Sequence, residues 1–334
     1  VRMRTALAGL AAAVLALSAA GCGDDAKAGS GGSGEKVRFG YIADFNGSSL
    51  LAIAEKQGLW EKQGLKPETK VFTNGPLQIQ ALGAGDLDAG YIGPGAFWLP
   101  ASGKAKILAV NGLGFADHVI AQPGRGIKTV ADLKGKRVGV PEGTSGDMIL
   151  SLALKRARLT VKDVRKVAMD PTTIVSAFVS GQIDAAGIWY PLIDTIKQRK
   201  PDLVDLAGDR DFYPAMSFPN AFVSAPDLPS RKPELTTKVI RVLQEAADYR
   251  AGHRDETIKL TAAFMKLPVD KVEADAANGE YPTTADLVAR TQDGTVARWL
   301  DGLAALFVES GKLKTVPKAD TYYAGDLYTK AAGR

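Results

Sequence analysis

Two stretches of this chain, 96 residues apart, follow one pattern. Ala81, Gly85, Asp88, Ala89 and Ile92 recur as Ala177, Gly181, Asp184, Ala185 and Ile188. Ile79 and Leu87 are matched conservatively by Val175 and Ile183. Both copies read strand, turn, helix, G-x-[LI]-D-A, strand, turn. The repeat therefore constrains topology more than composition: it predicts one α/β arrangement built twice, and 334 residues are enough for two cores.

The flanking pattern agrees. Val37 to Ile42 reads as a strand, and Leu50, Leu51, Ile53, Ala54 and Leu59 follow at helical spacing. Strands are expected at Val71-Phe72, Ala89 to Ile92, Ile107 to Val110 and Val119 to Gln122, with a helix over Leu77 to Leu82. A second set runs from Arg137-Val138-Gly139-Val140 through helices near 146–157, 172–180 and up to Arg199, with strands at Val164 to Met169 and Ala185 to Trp189. Residues 230–334 read as mostly helical, with apolar stripes at Val239, Ile240, Leu243 and Ala246 and again at Trp299, Leu300, Leu303 and Phe307. Such stripes mark core.

The amino-terminal segment differs in kind. Arg2 and Arg4 precede an apolar run from Leu7 to Ala20, too short to span a bilayer comfortably and laid out as a secretory signal over residues 1–21. Cys22, the only cysteine, follows Ala19-Ala20-Gly21. This resembles a bacterial lipobox, with Ala19 standing where Leu is usual, and the resemblance implies acylation of Cys22. Residues 22–35, rich in Gly, Ser and Ala, have no apolar period and read as a flexible tether.

One cysteine excludes an internal disulfide or a cysteine-based zinc site, and two histidines leave little for metal chemistry. No cofactor is expected. Lys+Arg 42 against Asp+Glu 37 gives a modest excess with no basic stripe, which argues against nucleic acid. No nucleophile elbow, zincin motif, Walker loop or dinucleotide fingerprint stands after a strand and before a helix. Polar, glycine-rich turns between strand and helix are present instead, and open α/β sheets bind ligands there. Pro141-Glu142-Gly143-Thr144-Ser145-Gly146-Asp147 is the clearest. Thr144 or Ser145 would donate to a ligand, or Thr144 and Asp147 would form a capping box; one loop can serve both. Asn46-Gly47-Ser48, Asn74-Gly75-Pro76 and Gly93-Pro94-Gly95-Ala96-Phe97 are similar turns in the first half. Asp170-Pro171 and Trp189-Tyr190-Pro191 occupy the corresponding turns of the second.

Thr129-Val130-Ala131-Asp132-Leu133-Lys134-Gly135-Lys136-Arg137-Val138-Gly139-Val140 resembles the linker and strand that open the second lobe of type II solute-binding proteins, in the sulfonate, taurine and nitrate branch of ABC importer receptors. Ala186 to Pro191 resembles that branch's Trp-acid-Pro element, and Gly143 to Gly146 its anion loop. The resemblance covers about residues 36–320. It implies an α/β, two-lobed type II periplasmic-binding-protein fold with a ligand cleft between the lobes. Lobe 1 would comprise residues 36–121 and 222–334 with the carboxy-terminal helices, and lobe 2 residues 122–221. Two crossing strands near His118–Gln122 and Ala221–Ser224 would join them, with His118 structural.

The function implied is an extracytoplasmic, lipid-anchored receptor, not an enzyme and monomeric, that hands a small organic solute to an ABC permease and through it to an ATPase. Ligand contacts are expected from Asn46, Ser48, Asn74, Gly93, Pro94, Gly95 and Phe97 in the first lobe. Gly143, Thr144, Ser145, Asp170, Trp189 and Tyr190 would supply the second, with Phe218 and Asn220 near the return crossing. Two features depart from the branch. Tyr190 replaces the usual acid beside the Trp, and no Arg or Lys falls in these turns while Asp44, Asp147 and Asp170 do. Aromatics at Phe97, Trp189, Tyr190 and Phe218 point to a partly flat or apolar ligand. Sulfonate, nitrate, pyrimidine and aromatic acid all remain open. The rivals are enzymes on the same fold, making a thiamine pyrimidine or dehydrating chorismate, and a receptor that feeds a membrane sensor.

Overall fold

The computed structural model describes residues 34–333. The leader, Cys22 and most of the tether lie outside the described residues.

The strands are β1 (Glu35–Ile42), β2 (Leu65–Phe72), β3 (Ala89–Ile92), β4 (Lys106–Gly114), β5 (Asp117–Ala121), β6 (Arg137–Val140), β7 (Arg165–Ala168), β8 (Ala185–Trp189), β9 (Val204–Gly208), β10 (Pro219–Ser224) and β11 (Gly279–Glu280). They form two sheets. The first has the order β11-β4-β10-β3-β1-β2 and the second β7-β6-β8-β5-β9. The repeat is visible in this order. In each sheet three parallel strands, β2-β1-β3 or β7-β6-β8, are continued by an antiparallel strand that connects to the other lobe.

The repeated aspartate explains why both copies need that residue. Asp88 accepts the backbone N–H of Arg38 at 2.9 Å while its own N–H donates to the Arg38 carbonyl at 2.9 Å. Asp184 makes the same exchange with Arg137, at 2.8 Å in both directions. The aspartate thus seals the start of β3 onto β1 and of β8 onto β6, where the ladder has no further partner.

The expected lobe edges shift. β5 lies entirely in the second sheet and β10 entirely in the first, so the chain changes sheets at Phe115-Ala116 and again between Gly208 and Pro219. Both crossings therefore fall earlier than His118–Gln122 and Ala221–Ser224. Phe115 and Ala116 are buried like the strands they join, and no turn residue marks the first crossing. β9 is an additional strand absent from the sequence reading, because Val204-Asp205-Leu206 is too short a pattern to stand out.

Burial follows the layers. In the first lobe Phe39 packs edge-on against Trp60 at 5.9 Å and Phe222 at 5.7 Å. Both faces of the second sheet are covered, one by Val119, Val138 and Ile149 and the other by Ile120, Phe178 and Ile188. The helix Ser145–Arg156 sits very close to β8: a Cβ on Gly187 would stand 2.2 Å from the Gly146 carbonyl oxygen. Carboxy-terminal helices, including Pro233–Gly252 and Thr295–Glu309, add their buried stripes to the first core. No helix among the described residues is long and apolar enough to cross a membrane.

Candidate functional site

The carboxyl ends of β1, β3, β6 and β8 all deliver their turns to one cleft. Asp44, Asn46, Tyr91, Gly93 and Pro94 line it from the first lobe. Thr144, Ser145, Trp189 and Tyr190 line it from the second, with Gly114, Ala116, Asp117 and Asn220 at the crossings.

Each wall follows from its local structure. β1 ends at Ile42, and two residues on Asp44 caps the helix Phe45–Lys56 by accepting the Gly47 N–H at 2.6 Å. Asn46 then faces the cleft, and its backbone carbonyl accepts from the Asn111 amide at 2.9 Å. The same Asn111 amide nitrogen donates to Asn220 Oδ1 at 2.9 Å, which leaves the Asn220 amide nitrogen turned toward Gly114. Arg250 backs this network, donating to the Asn111 carbonyl at 2.9 Å and the Ser49 hydroxyl at 3.1 Å. Burial lowers its pKa to about 10.

On the second lobe, antiparallel register sets Asp117 directly across from Trp189, so carboxylate and indole share one face of the sheet. Behind Asp117 lies Asp209, whose carboxylate accepts the Asp117 backbone N–H at 3.0 Å. Burial pushes Asp117 up to about 6, against the opposing pull of the Ser145 hydroxyl beside it. Burial, and then the Asp117 charge, hold Asp209 well above the usual carboxylate range. Asp44 is raised in the same way by burial and by Asp275, which burial pushes to about 7.

The Gly143-Thr144-Ser145 loop has a mixed role. The Thr144 hydroxyl donates to the Pro141 carbonyl at 2.6 Å, and Asp147 reaches back to the Gly143 N–H at 3.1 Å. Neither half of the expected capping box forms: Asp147 bonds the residue before Thr144, and the Thr144 hydroxyl turns away from its helix. Gly143 is outside the lining; its carbonyl accepts Trp98 Nε1 from the first lobe at 3.2 Å. Gly95 is where the lobes touch: a Cβ there would stand 2.1 Å from the Ser145 nitrogen.

Other candidates fall elsewhere. Phe97 and Phe218, expected to contact ligand, are instead buried in the first core and outside the lining. Ser48 is fully buried and donates to the Ile42 carbonyl at 3.3 Å. Asn74 caps the helix Gly75–Gly83 through the Leu77 N–H at 3.0 Å, beside the cleft residue Gly75. Asp170 caps the helix Pro171–Val179 and accepts the Thr73 hydroxyl across the lobes at 2.9 Å, near a second hollow that holds the far side of Trp189. His118 pairs with Asp205 at 2.9 Å, outside the lining. Asp117, Tyr91 and Asn111 escaped the sequence reading, because each sits inside or at the end of a strand and no turn marks it. Tyr91 had one signal: it lies in the repeat, two residues before Gly93.

A family model described as NMT1/THI5 like matches residues 47–257, well over half the chain. The chain belongs to this family. Within it, a Brucella abortus (strain 2308) chain named only as a binding protein is 54% identical over 88% of this chain and 91% of its own length. The taurine-binding periplasmic protein of Escherichia coli is 27% identical over 83% and 88%. The solved structure of the periplasmic aliphatic sulphonate binding protein SsuA from Escherichia coli superposes with a TM-score of 0.67 at 25% identity, over 89% of this chain and 99% of that one. The two-sheet, two-lobe architecture is thus that of the solute-binding proteins of sulfonate, taurine and nitrate ABC importers.

Proposed function

We propose that this chain is the extracytoplasmic receptor of an ABC importer, taking a small organic solute between its lobes and presenting the closed form to a permease. The observation that carries this reading is the cleft itself. Strand ends from both lobes line it, and Gly95, Trp98 and Gly143 bring those lobes into contact beside it. Ligand that touches both walls favours the closed arrangement through its differential affinity, and closure creates a surface that a permease can read. Acylation at Cys22 would hold the receptor at the outer face of the membrane, with the tether giving it reach.

The enzyme alternative has less to draw on. The two histidines stand outside the lining, His118 against Asp205 and His253 stacked on Tyr249 at 4.1 Å between ring centroids. Native mass spectrometry of the purified protein tests the reading: a retained, chemically unchanged small molecule is expected. Turnover of that molecule by the protein alone would overturn it. For the anchor, metabolic labelling with an alkyne fatty acid is expected to mark wild type and spare Cys22→Ala; equal labelling would remove the anchor.

A further inference from the structure

We infer that the cleft selects an organic cation, a protonated amine or amidine on a flat or apolar frame, with Asp117 and Asn46 accepting its N–H groups. This deepens the receptor reading and rests on it.

Asp117 Oδ1 and Asn46 Oδ1 are both buried without a hydrogen-bond partner, in residues only 5% and 6% exposed that line the cleft. Buried acceptors left unmade are costly, and both ask for a donor. Asp44 adds a second buried carboxyl to the lining, and Asp209 stands directly behind Asp117. No Lys, Arg or His is in the lining.

Three backbone donors in and beside these turns are already engaged by the chain. The Gly47 N–H goes to Asp44, the Gly143 N–H to Asp147 and the Leu77 N–H to Asn74. Nearby cations are held as well. Lys166 and Lys312 both pair with Asp147, at 3.1 and 3.4 Å, and Arg250 is directed to Ser49 and Asn111. Lys197 bonds the Tyr190 hydroxyl. A sulfonate would enter a wall that carries two carboxyl groups and no basic side chain, whereas a cation would favour the charged form of those carboxyl groups. Trp189 and Tyr190 add faces that attract cations and exclude water.

Thermal-shift and calorimetric titration with matched sets of organic cations, neutral amides and sulfonates tests this, with benzamidine, benzamide and benzenesulfonate as the flat-ring trio. Cations are expected to bind at least tenfold tighter than their sulfonate counterparts, and Asp117→Asn to lose at least tenfold of that affinity. Sulfonates binding as tightly as cations would overturn the charge assignment and leave the receptor reading standing. Binding in none of the three sets would overturn both. The wild-type ranking decides the matter even if the variant fails to fold. Identification of the retained molecule as lacking a basic nitrogen would also overturn the inference.

Discussion

The two lobes share a scaffold and differ at its tips. Both run three parallel strands, both seal the third with an aspartate, and both aim the end of that strand at the cleft. The first lobe ends there in Gly93-Pro94-Gly95, the second in Trp189-Tyr190-Pro191. One tip is small enough for backbone to approach backbone, and the other supplies aromatic wall. The two lobes thus present matched scaffolds that diverge at a few turn residues. This division of labour makes distinct demands on each lobe.

The largest effect is expected at the small tip. Gly95→Ala puts a Cβ where the Ser145 nitrogen and the Thr144 carbonyl carbon stand, both 2.1 Å away and both backbone. The lobes would be held apart while each stayed folded. Affinity is expected to fall about a hundredfold or more, on the order of 3 kcal/mol, and small-angle scattering should show no compaction with ligand. Normal affinity would mean that the tips do not meet in the bound state. At the aromatic tip, Trp189→Ala is expected to cost roughly 2–4 kcal/mol of binding. Wild-type tryptophan fluorescence should change on adding ligand; a variant with unchanged affinity would assign Trp189 to the core of its own lobe, where it also packs.

The acidic centre joins the jaws and gives a pH signature. Asp117 is pushed up to about 6 and Asp275 to about 7, and Asp44 and Asp209 are also raised. Asp194, Tyr91, Tyr281, Arg250, Arg254, His118 and Arg210 are other titratable groups around them. Acids with raised folded pKa bind protons more tightly folded than unfolded. Their contribution is present in full below the unfolded value near 4 and is lost as pH rises through about 6 to 7. Stability without ligand should therefore fall as pH rises from 4 to 7, readable in urea midpoints. A cationic ligand should reverse the trend, and an anion should exaggerate it.

Smaller effects test the scaffold. Asp88→Ala and Asp184→Ala each remove a charged acceptor from a strand N–H, so each is expected to cost about 1–3 kcal/mol of unfolding free energy. Unequal costs would show that the repeat is matched in shape without being matched in energy. Smallest of all, Lys155 and Glu309 pair across the lobes at 2.5 Å but with both side chains more than half exposed. Lys155→Ala should change stability by less than about 1 kcal/mol and leave affinity alone.

How much of this was legible in advance depends on the range of the interactions. β3, β6 and β8 are read from the sequence with their observed ends, since local apolar runs bounded by Gly, Asp and Pro set them. Thr144, Ser145, Trp189 and Tyr190 were visible because ligand turns follow strands and carry unusual residues. Phe97 and Phe218 looked the same by that rule, yet each points into the first core, which only packing decides. Asp117 was invisible for the opposite reason. It is one acidic residue at the start of a short strand, and its neighbours Ser145, Trp189 and Asp209 arrive from three distant parts of the chain.

The sequence by itself determined the alternation of strand and helix, the duplication and the glycine-rich turns, because propensity and period act over a few residues. It also carried the family, through segments shared along most of the chain. The tertiary structure alone decided where the chain crosses between sheets and which turns meet. It also decided that the cleft gathers carboxyl groups without a lysine or arginine to balance them. The reason is burial: an aspartate's charge, hydrogen bonds and pKa are set by what surrounds it in space, and those surroundings come from segments that the local pattern does not connect.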